Sequence, residues 1–442
     1  MSAGLAHYLD VARGFQSRGS ANDPAWLKTL RAEALRHFEA RGLPTSKDEE
    51  WKYTPLSTLS SHPFQPARDV YAGEDVAAAV ARLALPGPRL VFVDGRYVPA
   101  LSVLTGLPRG VTLKPLSQAL REDGELLEGT LGQRTRLGAN AFTSLNAALL
   151  EEGALLTLAP RALSEVPVQL LFLARGGNGP VLASPRIVVV AGEGSEATLV
   201  ETYAGLGTEA TFTNAVTEVS LGDNASLHHY KLQTEGDAAL HLGGLYSRQG
   251  RDSRFQSHAF SFGGAVARNE VHALFAGEGG ECLLNGLFVG RGTQHLDNRT
   301  DLDHAVPRCS SRELYKGVLD DRSRGTFHGR IRVREDAQKT DASQTNRNLL
   351  LSEGAQVDTR PQLEIFADDV KCAHGTAVGR LDDTALFYLR SRGIPKPEAE
   401  RMLTQAFASE LVLAVPAGPV RARVEALLSA KLPGGARPEV TG

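Results

Sequence analysis

The chain has 442 residues, ample for two or three structural units, and its 48 basic and 51 acidic residues leave a formal charge of -3, which gives no overall basic field for nucleic acid and no acidic tail. Three widely spaced cysteines, Cys282, Cys309 and Cys372, contain no CxxC, which argues against a disulfide framework and against a self-contained zinc module and fits a reducing cytoplasm. The N-terminus has no apolar run behind a basic start, and the longest apolar stretches are too short to span a bilayer, so a soluble, unexported, cytoplasmic protein is expected.

The first 60 residues predict helix. Asp23-Pro24 offers a cap followed by proline at the first turn, and Trp26, Leu27, Leu30, Ala34, Leu35 and Phe38 recur at helical spacing until Arg41-Gly42,. Leu90 to Val98 reads as a hairpin, because apolar runs flank Asp94-Gly95,. From Pro115 to Glu151 the helical pattern returns on Leu116, Leu120, Leu145, Leu149 and Leu150,. A mainly helical region with a small hairpin is therefore expected over residues 1–155.

Residues 156–380 read differently. Short β-branched, leucine and aromatic runs alternate with turn residues, and no convincing helix interrupts them. Glycine-led turns at Gly192, Gly222, Gly250 and Gly277 lie 30, 28 and 27 residues apart, the spacing of stacked coils in a β-solenoid, each burying its inner face on its neighbours. Turns at Ser352-Glu-Gly-Ala and Ala367-Asp-Asp-Val are 15 apart, about half a coil. A β-sandwich with long hairpins is the alternative.

Within Phe366 to Ala377, FADDVKCAHGTA, Cys372 and His374 are two residues apart. On an extended strand both side chains share one face, about 6.6 Å apart along the chain. A closed tetrahedral metal site needs four ligands, so this pair is half of one and needs donors from a partner. The plainer alternative is a thiol and an imidazole that are simply packed or hydrogen-bonded.

Residues 381–442 are helical again. Asp382-Asp383 can cap a helix bearing Leu386, Phe387 and Leu389, and Pro395 and Pro397 open a second with Met402, Leu403, Ala406, Phe407 and Leu411,. Such helices either cap the end of a solenoid or dock a partner.

Three stretches carry a resemblance to a known family. They are Pro44 to Thr54 (PTSKDEEWKYT), Lys339-Thr340-Asp341-Ala342 with Gln344 to Leu351 (QTNRNLLL), and Asp358 to Ile365 running into Cys372-Ala373-His374-Gly375, followed by Leu386 to Ile394. They resemble the SufB/SufD family of iron-sulfur cluster assembly proteins over the whole chain. The resemblance implies a mainly β fold, a right-handed parallel β-helix flanked by helical N- and C-terminal regions. It also implies a cytoplasmic scaffold without catalytic activity, in which the β-helix pairs with that of SufB and the C-terminal helices engage the ABC-type ATPase SufC. Leu386, Phe387, Leu389, Met402, Leu403 and Phe407 would form that ATPase contact.

At the β-helix interface, His374 and Cys372 would join SufB ligands around a transient, nascent iron-sulfur cluster and take part in iron acquisition, with nothing tightly held by the isolated chain. SufB carries a cysteine in the stretch corresponding to Gln344 to Asn348 and a glutamate after the histidine; here Asn346 and Gly375 stand in those places, so sulfur acceptance is not implied. No GxxxxGK[ST] phosphate loop is present, which leaves ATP hydrolysis to the partner. An uncovered strand edge also suits a homodimer when the chain is alone. A β-helix enzyme acting on polysaccharide through Asp297, Asp301, Asp303, Asp320 and Asp321 is the competing class; the 6% aromatic content argues against it.

Overall fold

A computed structural model describes residues 3–19, 23–135, 140–177, 179–416 and 418–432. At its centre is a parallel β-solenoid of about eight turns, each turn giving one strand to each of two facing sheets. The first sheet runs from Gly153–Leu158 to Gln356–Ile365, and the second from Val168–Ala174 to Lys371–Gly379. All coil-to-coil pairing is parallel, and Ser226 lies beside Glu196 on one side and Arg254 on the other. That register excludes the sandwich, whose neighbouring strands would be antiparallel.

The turn glycines have a specific cause. A Cβ on Gly192 would come within 2.8 Å of Pro160 N, and one on Gly277 within 2.1 Å of Arg251 N, so the backbone of each turn packs directly on the turn before it. Two residues further on, each coil needs a left-handed residue. Gly194, Asn224, Asp252, Gly279, Arg308 and Lys339 all have φ between 54° and 73°. Their N–H groups reach the next turn, as in Asn224 N–H to Arg251 O (2.7 Å) and Lys339 N–H to Asp369 O (2.7 Å), so the turns form a second hydrogen-bonded ladder beside the sheets.

Gly153 opens the first long strand at φ 142°, where a Cβ would stand 1.9 Å from Arg186 O. Gly153→Ala is therefore expected to lower stability by about 3 kcal/mol, from positive-φ strain and a backbone clash. A urea midpoint equal to that of the parent chain would refute it.

Inside, the two sheets interleave Leu156, Leu170, Ile187, Leu199, Phe255, Leu284, Phe327 and Ile331. The N-terminal helices, including Ala3–Gly19, Ala25–Arg41 and Ala141–Ala148, pack on the outer face of the first sheet through Tyr8, Phe38 and Phe142 against Phe212, Leu240 and Leu242. The hairpin is present, with Phe92 opposite Tyr97, and its first strand also joins the second sheet beside Val168–Ala174. Asp23 does not cap the following helix. Pro24 holds the N-cap position, and Asp23 instead pairs with the buried Arg31.

The C-terminal helices Lys396–Leu413 and Pro419–Lys431 lie on the outer face of the second sheet, where Ala408, Leu411, Val424 and Leu428 meet Tyr230, Leu232, Phe260 and Leu287. They cover a flank, leaving the final strands as the last of their sheets. Among the described residues, no helix is long and apolar enough to cross a membrane.

Candidate functional site

Among the described residues, Lys371–Gly379 pairs on one side only, with Asp341–Leu350, so that Cys372 sits beside Ala342 and His374 beside Gln344. Ala342 and Gln344 are buried. Period-two alternation therefore puts Cys372 and His374 together on the inner row of the last coil, as their spacing predicts. Cys372 is half-buried and packs against the core, whereas His374 is exposed because no further coil lies over it. Burial pushes the Cys372 thiol up and the Asp341 charge adds to this, against a backbone hydrogen bond from Ala342. All three cysteines are free. Among the described residues, no group of three or more His, Cys, Asp or Glu side chains is placed to hold a metal, so Cys372 and His374 are two of the four donors a closed tetrahedral site needs.

Two features lay beyond the sequence reading. The first is the polar row leading inward from His374. Gln344 Nε2 donates to Glu313 Oε2 (3.0 Å), which also accepts from Thr300 Oγ1 (2.7 Å). Burial pushes the Glu313 carboxyl up to about 7. The second is an ionic cluster inside the early coils. Glu201 accepts from Tyr203 (2.7 Å) and Thr217 (2.7 Å) and lies 3.2 Å from His229, while His241 Nδ1 lies 2.7 Å from Glu235. His229 also bonds Ser257 (2.9 Å), and Lys231 donates to Asn269 (3.0 Å). The cavity beside them is about 10 Å³, room for about one water, so the cluster has no space for a ligand.

The cluster sets an acid limit. Burial alone would raise Glu201, but the His229 hydrogen bond and the His229 and Lys231 charges outweigh it and hold the carboxyl down at about 2. Glu235 and Glu270 are likewise lowered despite burial, by His241 and Arg268 respectively. A carboxyl depressed in the folded state adds stability above its unfolded value and loses it as pH falls through the folded one. The urea midpoint is therefore expected to drop steeply between about pH 4.5 and 2. Between about 7 and 4.5, Glu313 acts in the opposite sense, since its raised carboxyl binds a proton first in the folded state. A midpoint flat down to pH 2.5 would contradict the assignment.

Of the helical residues read as an ATPase contact, Phe387 (73% exposed) and Met402 (42% exposed) face outward. Leu386, Leu389 and Leu403 are half-buried. Phe407 instead turns to the solenoid, where Lys316 Nζ lies 4.8 Å from its ring and donates to its carbonyl (2.8 Å). The aspartates of the polysaccharide alternative are engaged elsewhere. Asp297 pairs with Arg268 and Arg299, Asp301 with Arg330, and Asp303 with Arg334. Asp320 and Asp321 accept backbone N–H groups in a turn. None of them forms a free pair of carboxyls of the kind glycoside hydrolysis uses.

Comparison with known proteins gives two family matches, a SufBD protein N-terminal region over residues 5–170 and the SUF system FeS cluster assembly SufBD core domain over residues 172–407. The chain is 36% identical to the iron-sulfur cluster assembly protein SufD of Escherichia coli over 96% of each chain. It is 32% identical to an iron-sulfur cluster assembly SufBD family protein of Synechocystis, over 94% of this chain and 93% of the relative. It is 29% identical to SufD of Bacillus subtilis, over 93% and 95%.

Proposed function

The chain belongs to the SufB/SufD family of the SUF iron-sulfur cluster assembly system, and on that premise we propose that it is a non-catalytic scaffold subunit that pairs through its last coil with SufB and binds the SufC ATPase through its C-terminal helices. The observation that carries this reading is the open end of the solenoid. Two soft donors, Cys372 and His374, lie side by side on an uncovered strand, with no third donor of their own chain among the described residues. The unpaired N–H and C=O groups of that strand suit pairing with another solenoid. A nascent cluster or its iron, as cargo, would then be held by donors from both chains, with His374 supplying a neutral imidazole nitrogen.

His374 is the stronger ligand of the two, because it is exposed, whereas the Cys372 thiol is half-buried and disfavours its thiolate,. In the purified three-component complex, His374→Ala is expected to cut iron and sulfide incorporation by at least about tenfold, the scale known for perturbed metal-ligand shells. Co-elution of the three subunits should be unchanged. Undiminished incorporation would remove His374 from the ligand set, and failure of this chain to co-elute with SufB and SufC would remove the scaffold reading itself. Alone, the same edge would pair two copies of this chain, seen as a concentration-dependent dimer that SufB dissolves.

A further inference from the structure

The PTSKDEEWKYT segment has no part in the cluster site, yet it is closely fastened. It crosses the outer face of the first sheet as a strap. The Trp51 ring lies 3.7 Å from the Arg268 guanidinium carbon and 5.0 Å from the Phe142 ring. Arg268 donates to Glu50 O (2.6 Å), Thr54 bonds Asp297, and Glu49 pairs with Arg360 on the terminal strand. Between the strap and the strands His295–His304, Arg324–Val333 and Gln356–Ile365 lies a cavity of about 770 Å³. A second, of about 200 Å³, shares Tyr53 and Asp358 with it. The larger volume is within the range of small-molecule sites.

The charges around this cavity differ from those on the rest of the face. On the strands nearest the cavity, Arg268 and Arg299 are matched to Asp297, Arg330 to Asp301, Arg332 to Glu364 and Arg334 to Asp303. Lys52, Arg322 and Arg324, which line the cavity, make no ion pair among the described residues, and Asp358 is the one carboxylate in its wall. His295, 6% exposed and also in the wall, has an Nε2 without a hydrogen-bond partner. The strap side carries Tyr53, Pro55 and Leu56, with the Lys52 Nζ 5.3 Å from the Tyr53 ring. Two unpaired arginines on the sheet side, facing a ring with a lysine beside it on the strap, match an anion joined to an organic group.

The geometry points to a binding site for a small phosphorylated molecule, its phosphate held by Arg322, Arg324 and Lys52 and its organic part against Tyr53, Pro55 and Leu56. The assignment is independent of the roles of Cys372 and His374. Titration calorimetry of the full chain with inorganic pyrophosphate at low salt is expected to show saturable one-to-one binding. Arg322→Ala and Arg324→Ala should each weaken it by about tenfold, the loss of one charge-assisted hydrogen bond. Both side chains are exposed, so the melting curve should not move. Arg332→Ala, a paired arginine of the same face, should bind as the parent does. Tyr53→Ala should weaken ADP but leave pyrophosphate unchanged. The site is refuted by absence of saturable pyrophosphate binding at millimolar concentration, by parent-like binding in an Arg322→Ala/Arg324→Ala double variant, or by equal loss in Arg332→Ala, which would report only a diffuse surface field.

Discussion

Replacing Arg268 with alanine is expected to destabilise the chain by about 3–5 kcal/mol, the cost of leaving buried acids without their counter-charge. Arg268 is 2% exposed. Its Nε donates to Glu270 Oε1 (2.6 Å), and its Nη1 donates to Asp297 Oδ2 (3.0 Å) and to the Glu50 carbonyl. The guanidinium also stacks on Trp51. Without it, among the described residues Asp297 keeps Arg299 (3.2 Å) and Thr54, and Glu270 keeps His272 and Asn140. Surface pairs of the same chemistry are worth at most about 1 kcal/mol, so burial decides the size of this effect. The strap should loosen first, since one residue carries the ring contact, the carbonyl contact and both acids. Limited trypsin digestion would then cut at Lys47 or Lys52 before the solenoid unfolds. A urea midpoint within 1 kcal/mol of the parent, with no new cleavage in the strap, would show that Arg268 is dispensable.

The coil repeat was legible because close backbone approach forces glycine at the head of several turns, and the interval 30, 28, 27 is the register offset between successive strands of the second sheet. It faded later because the second constraint, a left-handed residue, is met by Asn224, Asp252, Arg308 and Lys339 as well as by glycine. Those residues carry no common sequence mark. The shared face of Cys372 and His374 followed from alternation alone. Their unequal exposure did not, since it depends on which coil is last.

The interior was misleading for the opposite reason. His229, Lys231 and Gln233 alternate with Tyr230 and Leu232, a pattern that normally assigns the polar set to solvent. In a solenoid flanked by helices the outer face is apolar as well, and these polar side chains point inward to Glu201, Asn269 and Glu235. The last helix, Pro419–Lys431, did leave a sequence trace in Val420, Val424 and Leu428 behind Gly418-Pro419, and its buried residues are those three.

If the C-terminal helices dock the SufC ATPase as proposed, Phe387→Asp is expected to weaken that capture by about a hundredfold, the scale of a buried aromatic anchor. The helix Asp383–Ser391 is capped by Asp382, which accepts from Thr384 N–H (2.8 Å), yet buries no residue. Nine residues are too few for a stable isolated helix. Carrying Leu386, Phe387, Tyr388 and Leu389 with Phe387 73% and Tyr388 56% exposed, it presents an apolar surface of the kind that marks an interaction site. Capping of the solenoid cannot account for that surface, because the helices that do bury apolar side chains lie on a flank and the final strands stay open. The two roles separate by substitution. Phe387→Asp touches nothing buried and should leave the melting curve in place while binding is lost. Phe407→Asp removes a ring packed under Lys316, and should lower stability first and binding only through it. If Phe387→Asp binds the ATPase as tightly as the parent chain, the docking face lies elsewhere, and the exposed helix must be covered by another chain of the assembly.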